Sequence, residues 1–178
     1  MDAHELRELQ RPLKQGYRDD PATAMVTAHA HGRIDLPGVS CHLSTGSGEV
    51  VAGLHRAAGG TGAQVCSADL LLEALVACAG VTLASVATAM SVPIRSGTIT
   101  AEGHWDARGT LGVDREVPVG LTDVVLRFDL DTDADEATVA RLVGLTERYC
   151  VIAQTLAAPP PVTFTHRVAT AVGEIDAN

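Results

Sequence analysis

The longest apolar stretch of the chain has the spacing of a buried helix. It is predicted to run from about Ser67 to Met90 and to end before Pro93. Positions that recur every third or fourth residue, and so share one helix face, are Leu71, Leu75, Cys78 and Thr82. The stretch is long enough to cross a bilayer. Ala, Gly, Ser and Thr dilute it, however, and no Lys or Arg cluster flanks it, which favours a globular core helix.

A second helix is predicted from about Ala134 to Leu156, before the prolines that begin at Pro159. Asp133, followed three residues later by Glu136, predicts its N-cap and capping partner. One face of this helix carries Val139, Leu142 or Val143, Thr146 and Cys150. The cysteine-bearing faces of both helices are expected to be buried, which allows the two sulfurs to meet.

Shorter stretches predict a sheet around these helices. A short amphipathic helix is expected from about Glu5 to Gln15. Alternating residues between turn signals predict strands at Thr23–His31, Arg33–Leu43, Glu49–His55, Ile94–Asp106, Leu121–Leu130 and Val162–Thr170. This order favours an α+β domain with antiparallel sheet packed on two central helices over a doubly wound parallel fold. We expect an N-terminal helical extension over residues 1–20 and a single domain over residues 21–178.

Charge and the amino terminus exclude several classes of function. The chain has 178 residues and a formal net charge of −9, which argues against a phosphate-binding surface for nucleic acid and against docking on an anionic membrane. The first residues are acidic and lack the apolar segment of a signal peptide. A cytoplasmic, reducing environment is therefore expected.

The four cysteines are far apart and form no metal-finger motif. In a reducing compartment such cysteines are either buried packing residues or reactive thiols, and the pattern alone leaves both interpretations open for Cys78 and Cys150. Cys66 opens the first helix, where amide N–H groups lower a thiol pKa, but packing is the preferred interpretation. Cys41 is also interpreted as packing.

Two histidines are the basis of the only metal-site hypothesis. His29 and His31 are two residues apart on a predicted strand, so they would project from the same face and could share a zinc ion. A third ligand with recognisable spacing is not evident, although Cys41 and His42 lie on the next strand. The preferred interpretation is that these histidines are polar residues on a solvent-exposed face of the strand. No metal or cofactor is expected.

The segments CSADLLLEALVACAGVTLASVA and ERYCVIAQTLAAPPPV together resemble the OsmC/Ohr family of osmotically inducible and organic-hydroperoxide-resistance proteins. The opening PLKQGYRDDPATA and the loop HRAAGGTG are similar to one subgroup of it. The resemblance covers about Leu13 to Val168. It implies an α+β fold with antiparallel sheets around two long central helices, in an intertwined homodimer with sites at the subunit junction.

The resemblance also implies roles for individual residues. Cys78 matches the peroxidatic position and Cys150 the resolving one. Asp69 matches the acidic position near the start of the first helix, although it is Asp where the family usually has Glu, and Ser67 stands where Pro is frequent. Arg56 matches the activating arginine before the Gly-rich loop, with Arg33 in reserve.

The expected function is a thiol peroxidase for organic hydroperoxides, regenerated by an external dithiol. Leu75, Val81 and Val151 would form an apolar substrate pocket. The alternative is a small-molecule binding or redox-sensing protein that keeps the fold with little turnover, an interpretation that the departures at Ser67 and Asp69 support.

Overall fold

The computed structural model describes residues 1–168, in which helices alternate with short strands. The elements in chain order are α1 (Ala3–Asp19), β1 (His31–Asp35), β2 (Ser40–Thr45), β3 (Gly48–Gly53), β4 (Val65–Cys66), α2 (Ser67–Met90), β5 (Ser96–His104), α3 (Ala107–Thr110), β6 (Asp123–Asp131), α4 (Glu136–Tyr149) and α5 (Val151–Ala157). Single turns of 3₁₀ helix lie at Pro21–Ala24 and Arg56–Ala58.

The strands form two separate sheets. The first has the order β1-β2-β3-β4 and is antiparallel except for the short pairing of β3 with β4. The second is the antiparallel hairpin of β5 and β6, in which Ile99 lies opposite Phe128 and Ala101 opposite Leu126. These residues are half-buried and alternate with exposed ones, so one face of the hairpin packs inward. The predicted α+β class is confirmed.

Helix α2 has the predicted bounds and organises the core. Its buried stripe is Leu75, Ala79, Leu83 and Ala87, spaced one helical turn apart. The first two pack with Cys150 and the last two with Leu142. By length and composition α2 could also cross a membrane, but core helices of soluble proteins meet the same criterion.

The prediction of a single second helix is wrong in one respect, because this segment forms two helices. Helix α4 ends at Tyr149, Cys150 has extended backbone angles (φ −74°, ψ 109°), and α5 begins at Val151. The N-cap of α4 is Asp135, which accepts a hydrogen bond from the backbone N–H of Thr138. The predicted cap, Asp133, instead forms an ion pair with Arg95.

Three of the strand predictions also need correction. The segment Thr23–His31 is a 3₁₀ turn followed by irregular chain, and β1 begins only at its last residue. Arg33–Leu43 contains two strands rather than one, because the chain turns at Leu36–Val39 and Val39 adopts a left-handed φ of 48°. Of Val162–Thr170, residues 162–168 are neither helix nor strand, and the remainder lies outside the described residues.

The amino-terminal helix is longer than predicted. Helix α1 starts at a capping box formed by Asp2 and Glu5 and continues past Pro12 to Asp19. Its amino-terminal end lies against the carboxyl-terminal part of α2, near Leu83 and Ala87. The division into an extension and a separate domain stays a prediction.

Candidate functional site

The structure brings Cys78 and Cys150 together. Cys78 lies half-buried in the middle of α2, Cys150 is 1% exposed, and both are free thiols. The two side chains lie close enough for each to shift the pKa of the other. They lie within a core cluster with Leu75 and Ala79, against the inner face of the β5–β6 hairpin. This fold therefore places two thiols in contact at the edge of the core.

The break between α4 and α5 positions Cys150. The thiol of Cys150 caps α5, since its Sγ accepts a hydrogen bond from the backbone N–H of Ala153 at 3.5 Å. The chain changes direction at Cys150 while its carbonyl still accepts from Gln154 N–H at 3.0 Å. As a result, the first backbone N–H groups of α5 face Cys78 and do not continue the helical hydrogen bonds of α4.

The surroundings of Cys78 favour its thiolate. Burial raises the pKa of the Cys78 thiol, but hydrogen bonds outweigh burial and hold the pKa below the ordinary value. In decreasing order of effect, the groups that lower it are the N–H of Ile152, the thiol of Cys150, the N–H of Val151 and the side chain of Thr82. These donors carry no net charge and act at short range.

The surroundings of Cys150 have the opposite effect. Burial has the largest effect and raises the pKa of Cys150; the N–H of Ala153 lowers it, the hydrogen bond and negative charge of Cys78 raise it again, and the N–H of Ile152 lowers it least. Proton loss therefore occurs first at Cys78 and leaves Cys150 as a thiol that donates to it. The pair has a defined polarity, because the pKa of Cys78 is lowered and the pKa of Cys150 is raised.

An apolar cavity of about 290 Å³ adjoins this pair between α2, α4, α5 and β6. Its principal apolar lining residues are Leu75, Val124, Leu126, Phe128, Val143 and Leu156. Cys150, Thr146 and Glu147 supply the polar part of the wall. Of the residues predicted to form a pocket, Leu75 lines this cavity, whereas Val81 and Val151 are 74% and 69% exposed. A small organic molecule would reach Cys150 from this side.

Arg56 lies in the loop before β4. It opens the 3₁₀ turn Arg56–Ala58, and its guanidinium lies over Gly62, where an added Cβ would stand 2.2 Å from Nε. The preceding residue, His55, meets the edge of Trp105 at 5.3 Å between ring centroids. The backbone also passes close to itself here, because a Cβ on Gly60 would stand 1.7 Å from the Leu54 carbonyl oxygen.

The charged residues predicted to activate the thiol are not brought to it within one chain. Asp69 is an exposed residue of the first turn of α2, about 13 Å along the helix from Cys78. Arg33 lies on the edge strand β1, where its charge lowers the pKa of Glu49 after the larger effects of His42. Among residues 1–168, no cationic side chain contributes to the pKa shift of Cys78.

The other candidate residues lie elsewhere. Cys66 is the N-cap of α2 without a side-chain capping bond, and Cys41 is half-buried on β2. His29 lies in irregular chain and His31 at the start of β1. In the described part of the chain, no group of three or more His, Cys, Asp or Glu side chains could hold a metal ion.

Sequence reasoning missed the donors to the Cys78 sulfur. Val151 and Ile152 act through their backbone N–H groups, which no side-chain pattern reveals. Thr82 was placed on the correct helix face, and its position one turn after Cys78 could have indicated a hydroxyl donor.

Comparison with known proteins identifies a family to which this chain is similar. The family model described as OsmC-like protein matches residues 60–165, which include α2, the β5–β6 hairpin and both cysteines. None of the curated proteins matches the chain.

Solved structures share the fold at low sequence identity. An OsmC-like protein from Mycoplasma pneumoniae superposes with a TM-score of 0.64 at 14% identity, covering 75% of this chain and 89% of its own. An organic hydroperoxide resistance protein OsmC from Legionella pneumophila gives 0.60 at 18%, covering 75% and 91%. The organic hydroperoxide resistance protein OhrB of Bacillus subtilis gives 0.55 at 18%, covering 75% and 93%.

Proposed function

Because the chain belongs to the OsmC-like family, we propose that it reduces organic hydroperoxides with Cys78 as the attacking thiolate and Cys150 as the resolving thiol. Family membership indicates a redox or peroxide-related role, and two of the structural neighbours are organic hydroperoxide resistance proteins. The observation that carries the finer proposal is the contact between two thiols whose pKa values are shifted in opposite directions.

In the first step the Cys78 thiolate attacks the terminal oxygen of the hydroperoxide. The S–O bond forms as the O–O bond breaks, and the leaving alkoxide takes a proton to become the alcohol. Sulfur is oxidised to the sulfenic acid and the peroxide is reduced by two electrons. The donors that lower the Cys78 pKa assist this step, because the ionised thiol is the nucleophile.

In the second step Cys150 resolves the sulfenic acid. Its sulfur attacks the Cys78 sulfur, the S–S bond forms, and the S–O bond breaks with release of water. The proton that Cys150 retains in the resting state combines with the departing hydroxide. An external dithiol then reduces the disulfide by exchange and restores both thiols.

The proposed assembly is a homodimer in the cytoplasm. Exposed apolar side chains such as Val81, Val151 and Phe164, which is 92% exposed, would be covered by a second copy of the chain. Because Arg56 does not act on Cys78 within one chain, we infer that Arg56 reaches the site across the subunit junction and stabilises charge on the leaving oxygen. Asp69 would orient this arginine, with Arg33 as the reserve candidate.

A sensing or binding role is the second candidate. It is favoured by the neutral surroundings of Cys78 and by Ser67 and Asp69, which depart from the usual family pattern. In that case Cys78 would react with peroxide slowly, and the disulfide or a bound molecule would be the signal.

Stopped-flow reduction of cumene hydroperoxide tests the proposal. Cys78→Ser should abolish peroxide consumption, because no thiolate remains to attack the O–O bond. Cys41→Ser, which removes a thiol on β2, is the matched control and should retain the wild-type rate. Undiminished turnover by the Cys78 variant would eliminate the peroxidase proposal.

A further inference from the structure

The turn that carries Arg56 is closed by the residue before it. Nδ1 of His55 accepts a hydrogen bond from the backbone N–H of Ala57 at 3.0 Å and so caps the turn of 3₁₀ helix. The His55 carbonyl oxygen accepts two more, from the N–H groups of Ala58 at 2.9 Å and Gly60 at 3.0 Å. Three hydrogen bonds to one residue therefore hold the backbone around Arg56.

The imidazole of His55 also packs against Trp105, which directly follows β5. The two ring centroids are 5.3 Å apart and the ring planes meet at 82°, which is the edge-to-face arrangement that aromatic pairs favour. Trp105 is half-buried and is the only tryptophan of the chain. This contact joins the Arg56 turn, which lies between β3 and β4, to the hairpin of β5 and β6.

Trp105 belongs to a loop that is closed by its own hydrogen bonds. The side chain of Asp106 caps α3, since it accepts a hydrogen bond from the backbone N–H of Arg108 at 2.9 Å, and it also forms an ion pair with the Arg108 guanidinium. At the base of the loop, the N–H of Thr122 donates to the His104 carbonyl oxygen at 2.8 Å. The position of the tryptophan ring is therefore set by the hairpin and not by the Arg56 turn.

The chain after Arg56 is rich in glycine and is costly to order. Three of the six residues that follow Arg56 are Gly59, Gly60 and Gly62, and glycine loses the most conformational freedom when a backbone is fixed. The guanidinium lies over Gly62, so its position depends on how this segment is folded. Without the contacts of His55, the turn would present the guanidinium in many places, only some of which suit catalysis.

We propose that His55 and Trp105 are positioning residues for Arg56, because the cap and the ring contact together fix the turn from which the guanidinium is presented. This inference rests on the proposed function, in which Arg56 stabilises charge on the leaving oxygen. A charge that develops during a reaction is stabilised best by a group already held in place, since no reorganisation is then needed. Loss of either contact should reduce the contribution of the arginine without removing it.

Two substitutions at His55 separate the cap from the ring. His55→Asn keeps a side-chain acceptor favoured at an N-cap and removes the ring, whereas His55→Phe keeps a ring and removes the acceptor. Trp105→Ala removes the other half of the ring contact. The reaction of Cys78 with cumene hydroperoxide, followed by stopped flow, should be slowed by roughly threefold to tenfold in each variant and by more in His55→Ala.

A double variant distinguishes positioning from a general loss of stability. If His55 acts through Arg56, then His55→Ala should slow the wild-type protein but add no further loss to Arg56→Ala, because the two residues contribute one effect. The Cys78 pKa, followed by thiolate absorbance, should be the same with and without His55→Ala. Losses that multiply in the double variant, or a shift of the Cys78 pKa, would overturn the inference.

Amide hydrogen exchange tests the same contacts without any reaction. In the peptide that spans residues 54–62, His55→Ala should speed exchange by about fivefold, because the N–H groups of the turn open more readily when the cap is absent. The matched control is His104→Ala, which removes an exposed imidazole beside Trp105 that pairs with Asp123 instead of the turn. This control should keep both the wild-type exchange and the wild-type rate.

The outcomes separate this inference from the proposed function. A loss of rate in Arg56→Ala, with wild-type rates in His55→Asn, His55→Phe and Trp105→Ala, would overturn the inference and leave the peroxidase proposal intact. If the wild-type protein consumes no hydroperoxide, the proposed function fails and hydrogen exchange decides whether His55 fixes the turn. Unchanged exchange in His55→Ala, or the same increase in His104→Ala, would then contradict the inference.

Discussion

The junction of α2 with α5 and the loop that carries Arg56 supply different kinds of chemistry. At the junction, Cys78 meets backbone N–H groups, a hydroxyl and a second thiol, all within the fold of one chain. In the loop, Arg56 lies over Gly62 and is not among the groups that shift the pKa of Cys78 most. The thiolate is therefore favoured by neutral donors inside the chain, and in the proposed dimer the cation would come from the second subunit.

This difference separates formation of the thiolate from stabilisation of the transition state. The donors at the junction are fixed by secondary structure, so they act on the resting protein and set which sulfur ionises first. A guanidinium that arrives with a second subunit would act mainly on the charge that develops on the leaving oxygen. Variants that remove one kind of group and keep the other can therefore distinguish the two contributions.

Among substitutions at the junction, Cys150→Ser is expected to reduce turnover the most. This protein should react once with peroxide and then stop as a sulfenic acid that dimedone traps, because no resolving thiol remains. Serine is a favoured N-cap residue, so the capping role at α5 persists and offsets part of the roughly 1–3 kcal/mol cost of a buried hydroxyl. Unchanged multiple turnover would make Cys150 a packing residue only.

The next largest loss of activity is expected from substitution of Arg56. Arg56→Ala should slow the reaction with peroxide by on the order of a hundredfold, as expected for loss of one group that stabilises transition-state charge. Circular dichroism should show an unchanged fold, because Arg56 is exposed. A comparable loss of rate in Arg33→Ala, with none in Arg56→Ala, would identify Arg33 as the activating arginine.

Mixed dimers sharpen the Arg56 prediction. Co-expressed Cys78→Ser and Arg56→Ala chains, carrying different affinity tags, form a heterodimer in which one site would contain both Cys78 and Arg56. If the arginine acts across the subunit junction, the purified heterodimer should recover about half of the wild-type activity. An inactive heterodimer, or a monomer in sedimentation analysis, would contradict the shared site.

A smaller effect is expected from removal of one backbone donor. Val151→Pro deletes the N–H that faces Cys78 and changes little else, since proline is favoured at the first position of a helix. Cys150 already has the extended backbone that a residue before proline requires. The Cys78 pKa should rise, so the rate should fall by up to about tenfold at neutral pH and recover as pH increases.

The control for that variant is Val151→Ala, which keeps the N–H and, like the proline variant, lacks the valine side chain that the proposed dimer would cover. Thiolate absorbance near 240 nm, followed against pH with Cys41, Cys66 and Cys150 replaced, reports the Cys78 pKa directly. The alanine protein should titrate like its parent and the proline protein at higher pH. Identical titrations would mean that the backbone donor has no role.

Helical periodicity predicted the part of the site that lies within one chain. The repeat of Leu75 and Cys78 on one helix and of Leu142, Thr146 and Cys150 on the other identified faces that do meet in the core. The break at Cys150 could not be predicted, because CVIAQTL has good helix-forming residues and lacks a proline or glycine to mark the end of α4. That break is what directs the α5 N–H groups at Cys78.

The peripheral strands were less predictable for a different reason. Only His31 of the segment Thr23–His31 pairs with a strand, opposite Ser44, and the alternation in residues 23–30 finds no strand partner in the part of the chain that the structure describes. The positions of Arg56 and Asp69 relative to the thiols depend on loop geometry and, in the proposed dimer, on a second subunit. Neither is encoded in the spacing of residues along one sequence.

The most direct test of the central claim is the disulfide formed on oxidation. Wild-type protein treated with one equivalent of cumene hydroperoxide, digested without reductant and analysed by mass spectrometry, should yield a peptide linked through Cys78 and Cys150. This pairing requires the two Cα atoms to lie within about 7 Å, which the contact between the thiols makes attainable. A link from Cys78 to Cys66 instead, or free thiols at both positions after peroxide is consumed, would contradict the account.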